Sequence, residues 1–256
     1  MKPNVSALDS AFQTEAAAQF PNEACGFVVA QGKKQGFVPC KNSALQPLTT
    51  FDISVEEYHR ASEVGEIIGV WHSHPNRTNV ASESDLVECE ASELPYFITA
   101  VYKSGEDFVF SETAVYEPSG YELPYVGRPY HYGVIDCYSL VVDYYKREYG
   151  IELERLRENR DTRFWEHNNP LMEQAVETLG FEKLFGTQPE KGDLFLIQTG
   201  GNVANHVAIY LGDDMILHHC ENRLSVRSIY GGYWQKHSVA HLRYPGLNNG
   251  THEGNS

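Results

Sequence analysis

The sequence predicts an α/β (α+β) chain in two units, on three observations. Short runs rich in β-branched and aromatic residues recur along it, bounded by Gly, Pro, Asn and Asp. Segments of helical composition, or with an apolar stripe at three- and four-residue spacing, lie between those runs. Midway, Glu117-Pro-Ser-Gly-Tyr-Glu-Leu-Pro-Tyr-Val-Gly-Arg-Pro is dense in Pro and Gly and reads as a linker over residues 117–129. The expected units are therefore 1–116 and 130–246, with no internal repeat between them.

Taken in order, residues 7–19 have helical composition, and residues 25–30, 36–40 and 67–74 read as strands. A helix starts at Ser82, with an acid three residues on at Asp85. Residues 96–102 and 107–110 are two further strands, paired through Lys103-Ser-Gly-Glu. In the second unit Asp136 is a helix N-cap and Gly150 the residue that ends the helix, with Cys137, Leu140, Val141 and Tyr144 on one stripe. Residues 168–180 form a helix opened near Pro170 and closed by Gly180, burying Leu171, Ala175, Val176 and Leu179, with Phe164 and Trp165 anchoring it by packing. The charged stretch 152–163 reads as a solvated face or loop. Residues 192–198 and 205–212 are strands, and Gly212-Asp-Asp turns the second into 215–219, a β-hairpin with a histidine near each outer end. The tail, 247–256, is small and polar, and disorder is expected there.

The densest chemistry lies at His72-Ser-His-Pro, followed by Ser82 and Asp85 in an H-x-H-P-x6-S-x2-D spacing. Residues two apart on a strand face the same side, so His72 and His74 can converge on one ion while Ser73 faces away. The helix start carries Asp85 back toward them. Two histidines and a carboxylate make three zinc ligands and leave a fourth tetrahedral position for water, as in catalytic zinc. One Zn2+ per chain is expected, and the absence of a C-x-x-C pair argues against a second, structural zinc. Taken separately, Ser82 and Asp85 could be a capping pair alone, and H-x-H an exposed strand end.

Cys137 opens its helix, where the N-terminus favours thiolate over thiol; the alternative is a buried small hydrophobe. Across the hairpin His206 and His218 become neighbours, so one imidazole can orient the other. A cysteine, a histidine base and a third polar group form a nucleophilic triad. His219 competes for the third place, but strand alternation points it to the other face. Cys25, Cys40 and Cys89 read as small core residues, His131 and His167 as surface or loop residues, and His59 has no spacing that ties it to a site.

A formal charge of −15 argues against broad phosphate binding, so no nucleic-acid partner is expected. No apolar run approaches the roughly 20 residues that cross a bilayer, so no membrane-spanning segment is expected. Met1-Lys-Pro-Asn-Val-Ser lacks the apolar core of a signal peptide, and synthesis in a cytoplasm is expected.

The first half resembles the JAMM (MPN-type) metallopeptidases on His72, His74, Ser82 and Asp85, with Pro21-Asn-Glu-Ala-Cys-Gly-Phe-Val-Val as the matching upstream segment. That resemblance implies a mixed-sheet domain, His72, His74 and Asp85 as metal ligands, Glu23 as general base and Ser82 as the group that helps hold the carbonyl oxygen. The second half resembles the NlpC-type peptidases, which have a papain-like fold, on Tyr130-His-Tyr-Gly, Asp136-Cys137, Gly192-Asp-Leu and His206-Val-Ala-Ile-Tyr-Leu-Gly with His218. It implies Cys137 as nucleophile, His206 as base, His218 as the orienting residue and Tyr130 in the substrate-binding wall. Tyr138-Ser-Leu after the cysteine departs from the commoner Ser-Gly-Phe and bears on substrate preference.

The two halves in this order resemble the tail assembly protein K family of phages with long flexible tails. The resemblance implies a tail-tip component made in the host cytoplasm and acting at the periplasm or cell wall. Its implied partners are other phage tail-tip proteins and peptidoglycan peptides. The cysteine site would cut between D-glutamate and diaminopimelate, and the zinc site a peptide or isopeptide bond. Two other expectations stand beside it: a structural tail-assembly factor with relic sites, and a bacterial isopeptidase for ubiquitin-like proteins.

Overall fold

The computed structural model describes residues 3–154 and 164–247, which fall into two compact units divided between Glu122 and Leu123. The expected tail beyond 247 and most of the charged stretch, 155–163, lie outside the described residues.

The first unit opens with a 3₁₀ turn, Val5–Ala7, and helix α1, Asp9–Gln19. Strands β1 (Cys25–Gln31) and β2 (Lys34–Cys40) follow, then α2 (Val55–Val64), β3 (Glu66–Pro75), α3 (Glu83–Ser92), β4 (Tyr96–Ser104), β5 (Asp107–Phe110) and β6 (Ala114–Tyr116). The sheet order is β2-β1-β3-β4-β5, with β6 also on β4. It is a mixed sheet: β3 and β4 run parallel, joined through α3, and the other pairs are antiparallel. Sequence patterning misses α2, although Ser54 and Glu57 have capping-box spacing and the Ser54 hydroxyl does accept from the Glu57 amide at 3.4 Å.

Strand β3 is central, and its side chains divide between two cores. Trp71 packs with Phe12 and Phe37 on the α1 side, while Val70 joins Cys25, Val29, Cys89 and Tyr96 on the other. Cys25, Cys40 and Cys89 are all buried in that second core. Gly26 is required by close approach: a Cβ there would stand 2.4 Å from the Val38 carbonyl oxygen.

The second unit begins earlier than the linker reading expects. Leu123 and Arg128 are buried; the Arg128 guanidinium donates to Asp143 at 2.6 Å and to the Leu123 and Pro124 carbonyls. A Pro- and Gly-rich segment is therefore held by one buried arginine rather than left as a tether. Helix α4 (Cys137–Tyr149) is followed by a 3₁₀ turn, Phe164–His167, α5 (Leu171–Thr178), β7 (Glu182–Leu184), β8 (Leu194–Ile197), β9 (His206–Gly212), β10 (Met215–His218), β11 (Val226–Ile229), α6 (Tyr233–His237) and β12 (Ser238–Arg243). The sheet runs β11-β10-β9-β8-β12-β7, antiparallel throughout. Leu140, Val141, Tyr144 and Tyr145 of α4 pack with Leu194, Leu196, Val207 and Ile209 to form its main core.

Candidate functional site

Two groups of metal-ligating or nucleophilic side chains stand out, one in each unit. In the first, strand alternation sends His72 and His74 to the same side of β3, with Nε2 atoms 3.1 Å apart. Asp85, in the first turn of α3, closes the triangle: Oδ1 is 3.2 Å from His72 Nε2, and Oδ2 is 3.4 Å from His74 Nε2. Tetrahedral zinc bonds of about 2.0–2.1 Å place neighbouring donors about 3.3 Å apart, so these three atoms are spaced as one face of such a site. The His74 Nδ1 lies 2.8 Å from the Thr78 carbonyl, a contact that fixes its tautomer and leaves Nε2 free to ligate. Phe51 stacks on His72 at 4.6 Å. All three donor residues are buried. Burial opposes ionisation of Asp85, but the adjoining His72 and the Ser82 hydroxyl hold its carboxyl well below the usual range. Burial pushes the His72 imidazole down against the pull of Asp85.

The capping reading and the ligand reading of Ser82-x-x-Asp85 are both true here. Ser82 caps α3 through the Asp85 amide, and Asp85 Oδ2 accepts from the Ser82 amide and hydroxyl, each at 2.7 Å. The cap is thus what aims the carboxylate at the histidines. Ser73, on the opposite face of β3, exchanges hydrogen bonds with Ala24: its amide donates to the Ala24 carbonyl, and its hydroxyl accepts from the Ala24 amide, both at 2.9 Å. Since Cys25 pairs with His72 in the β1–β3 register, this clamp sets Glu23 opposite His74 and on the ligands' face. Glu23 is 2% exposed, and its Oε1 accepts from the Arg77 guanidinium. Arg77 was not singled out by spacing; it lies in the loop that carries the chain from β3 to α3.

In the second unit Asp136 caps α4, its Oδ1 accepting from the Tyr138 and Ser139 amides at 3.0 and 2.9 Å and its Oδ2 from the Gly133 amide at 2.9 Å. Cys137 is therefore the first helical residue, as the sequence reading expects. It lines a cavity together with His206, Tyr130, Tyr138, His219 and Cys220. Leu171, Ala175 and Val176 of α5 and Leu179 just after it, with Phe164 and Trp165, form the apolar wall of that cavity, and Val176 and Leu179 also pack into the core as expected.

His206 Nε2 lies 3.2 Å from His218 Nδ1, and His218 Nε2 lies 2.9 Å from the Ser228 hydroxyl. The two histidines are diagonal, not opposite: His218 pairs with Ala208 across the hairpin, after a register shift between Met215 and Ile216. Trp234 of α6 covers both rings, at 5.8 Å from His206 and 4.4 Å from His218. Burial, then the neighbouring histidine charges, push both imidazoles down and keep them neutral. His219 does not partner His206. Its Nε2 lies 3.0 Å from the Arg223 carbonyl and its ring packs edge-on against Tyr130 at 5.2 Å, yet it lines the same cavity because β10 ends at His218 and alternation stops there. Burial and the nearby Cys137 raise the Tyr130 phenol. His59 and His167 are exposed, while His131 sits in an isolated bridge to Ile135.

Sequence reasoning passed over Cys220. Its Sγ lies 3.5 Å from His218 Nδ1 and 3.9 Å from His206 Nε2. The signal was available: His218-x-Cys220 repeats the two-residue spacing of His72-x-His74.

Residues 127–243 match the family model described as the NlpC/P60 family, and residues 6–112 match prokaryotic homologs of the JAB domain. Tail tip assembly protein K of Escherichia phage N15 is 35% identical over 236 residues, which is 91% of this chain and 93% of that protein. Tail tip assembly protein K of Escherichia phage lambda is 31% identical over 193 residues, 75% of this chain and 89% of that protein. A crystal structure of an NlpC/P60 family protein from Bacillus cereus shares 13% identity over 90% of this chain and 66% of that one, with a TM-score of 0.32.

Proposed function

This chain belongs to the tail tip assembly protein K family, and on that premise we propose that it is a phage tail-tip assembly component with two hydrolytic sites, one in its NlpC/P60 domain and one in its JAB-like domain. The observation that carries the reading is His206, backed by His218, on one cavity with a cysteine at a helix N-terminus. With His206 Nε2–H donating to His218, and His218 Nε2–H donating to Ser228, the His206 Nδ1 is the basic nitrogen. In the proposed reaction Cys137 Sγ attacks the scissile carbonyl carbon as His206 takes the thiol proton. His206 then returns that proton to the leaving amine, and water cleaves the thioester. Tyr130 and the α5 wall bind the substrate, proposed as a peptidoglycan stem peptide cut at its D-glutamyl–diaminopimelate bond. Partners are other tail-tip proteins and peptidoglycan, with action at the host cell wall.

In the first unit the donor geometry fits zinc, held by His72, His74 and Asp85. A zinc ion bound there would supply Lewis acidity toward a carbonyl and toward water. Glu23 is proposed as the general base toward water. Ser82, whose hydroxyl donates to Asp85 here, would redirect it to the carbonyl oxygen of a bound peptide or isopeptide.

Mass spectrometry of purified muropeptides tests the cysteine site. A new amino terminus on diaminopimelate is expected with wild type and not with Cys137→Ala; equal cleavage by both, or none by either, overturns it. Metal analysis tests the other site, with one bound metal per chain fewer expected in His72→Ala. A second reading, an assembly factor whose zinc site does no chemistry, draws on the Glu23–Arg77 ion pair, which occupies the proposed base. It predicts full virion infectivity for Glu23→Gln, whereas the hydrolytic reading predicts a loss.

A further inference from the structure

We propose that His206, His218 and Cys220 form a second metal site, selective for zinc, whose occupancy shuts off the cysteine site. The three donor atoms make a triangle: His206 Nε2 to His218 Nδ1 is 3.2 Å, His218 Nδ1 to Cys220 Sγ 3.5 Å, and Cys220 Sγ to His206 Nε2 3.9 Å. Zinc bonds of about 2.0–2.1 Å to nitrogen and about 2.3 Å to sulfur place tetrahedral donors about 3.3 Å and about 3.6 Å apart. The triangle therefore needs only a few tenths of an ångström of closure along its longest edge.

Cys220 lies two residues past His218, just beyond the end of β10, and its Sγ reaches both histidines from there. Ser228 Oγ, 2.9 Å from His218 Nε2, holds His218 in the tautomer whose Nδ1 lone pair points into the triangle. Trp234 covers both imidazoles, and both histidines are buried, so the ligands are preorganised in a dry setting. Two imidazoles and a thiolate are a borderline-soft set that suits zinc and rejects magnesium and calcium. Three protein ligands leave one position open, and His206 and Cys220 both line the Cys137 cavity.

Occupancy is incompatible with the base role. A ligating His206 Nε2 must present its lone pair, so the ring proton moves to Nδ1, the nitrogen proposed to accept the Cys137 proton. Cys220 loses its thiol proton to solvent, and each binding event releases one proton. This inhibitory consequence rests on the peptidase reading; the metal site does not.

Cobalt(II) titration of the full-length protein separates the two. The first-unit site contains no sulfur, so a near-ultraviolet thiolate-to-cobalt charge-transfer band reports only on Cys220. The band is expected in wild type and in Cys137→Ser, and is expected to vanish in Cys220→Ser with an unchanged circular dichroism spectrum. Absence of the band in wild type, or its survival in Cys220→Ser, overturns the site; Cys220→Ala repeats the comparison should the serine variant fold poorly. In the muropeptide assay, zinc inhibits wild type, chelator restores it, and Cys220→Ser needs at least tenfold more zinc. A cobalt band with no cleavage under any condition removes the peptidase reading and keeps the site. Cleavage equally zinc-sensitive in Cys220→Ser removes the proposed inhibition.

Discussion

Arg77 and Glu23 meet in a pair that no linear spacing announces. The carboxylate is buried, and the arginine is partly exposed, with side-chain exposures of 2% and 37%. Removing the cation leaves a buried carboxylate without its partner, and that is costlier than removing both members. Arg77→Met is therefore expected to destabilise the first unit, and Arg77→Met with Glu23→Gln to recover most of the loss, with a coupling of ~1–3 kcal/mol in a double-mutant cycle. Strict additivity of the two substitutions in thermal denaturation would mean the pair contributes nothing. At this scale the H-x-H histidines, Asp85 and Cys137 were legible, because each depends on alternation along one strand or on a helix cap. Arg77 and Cys220 were not, because their partners arrive from other elements.

The hairpin β9–β10 shows how an element sets the chemistry of its residues. Its bulge near Met215 puts His218 diagonal to His206, with Cys220 just beyond the end of the strand. Burial, followed by the His219 charge, pushes the folded His218 down to about 4 from an ordinary value of 6.5. Above the ordinary value neither folded nor unfolded chain holds this proton, and the histidine's contribution to stability is complete. As pH falls from there toward about 4, the unfolded chain takes up a proton that the folded hairpin refuses, and stability declines. The urea midpoint in metal-free buffer is expected to be lower at pH 5 than at pH 7.5, with a smaller drop in His218→Gln. Equal drops in both proteins would take His218 out of the account. Elements with local signals, such as α4 with its Asp136 cap and Gly150 end, were legible in the sequence. Strand β12 was not: it is a strand because it lies between β8 and β7, a pairing contributed by distant chain.

Across the whole molecule, each site is assembled from residues of a single unit: Glu23, His72, His74, Ser82 and Asp85 in one, Tyr130, Cys137, His206, His218 and Cys220 in the other. Independent operation of the two sites is expected. His72→Ala is expected to lose the first unit's metal and keep Cys137-dependent muropeptide cleavage. Cys137→Ala is expected to lose cleavage and keep that metal. A His72→Ala protein that has lost the first unit's metal and also cleaves nothing, while retaining its fold, would show that the units are coupled. None of the described helices is long and apolar enough to cross a membrane.

By itself the sequence determined the two-unit α/β division, the polarity of each strand face, the caps that aim Asp85 and Cys137, and the family resemblance that these spacings carry. All of these are properties of neighbours within one strand, one turn or one helix start, where periodicity and capping act directly. Only the tertiary structure decided that Arg77 answers Glu23, that α5 walls the Cys137 cavity, and that Cys220 completes a triangle with two histidines. Those contacts depend on strand register and on helix placement against a sheet. Register is set by the summed packing of a whole face and by a single bulge, and a chain read residue by residue does not display either.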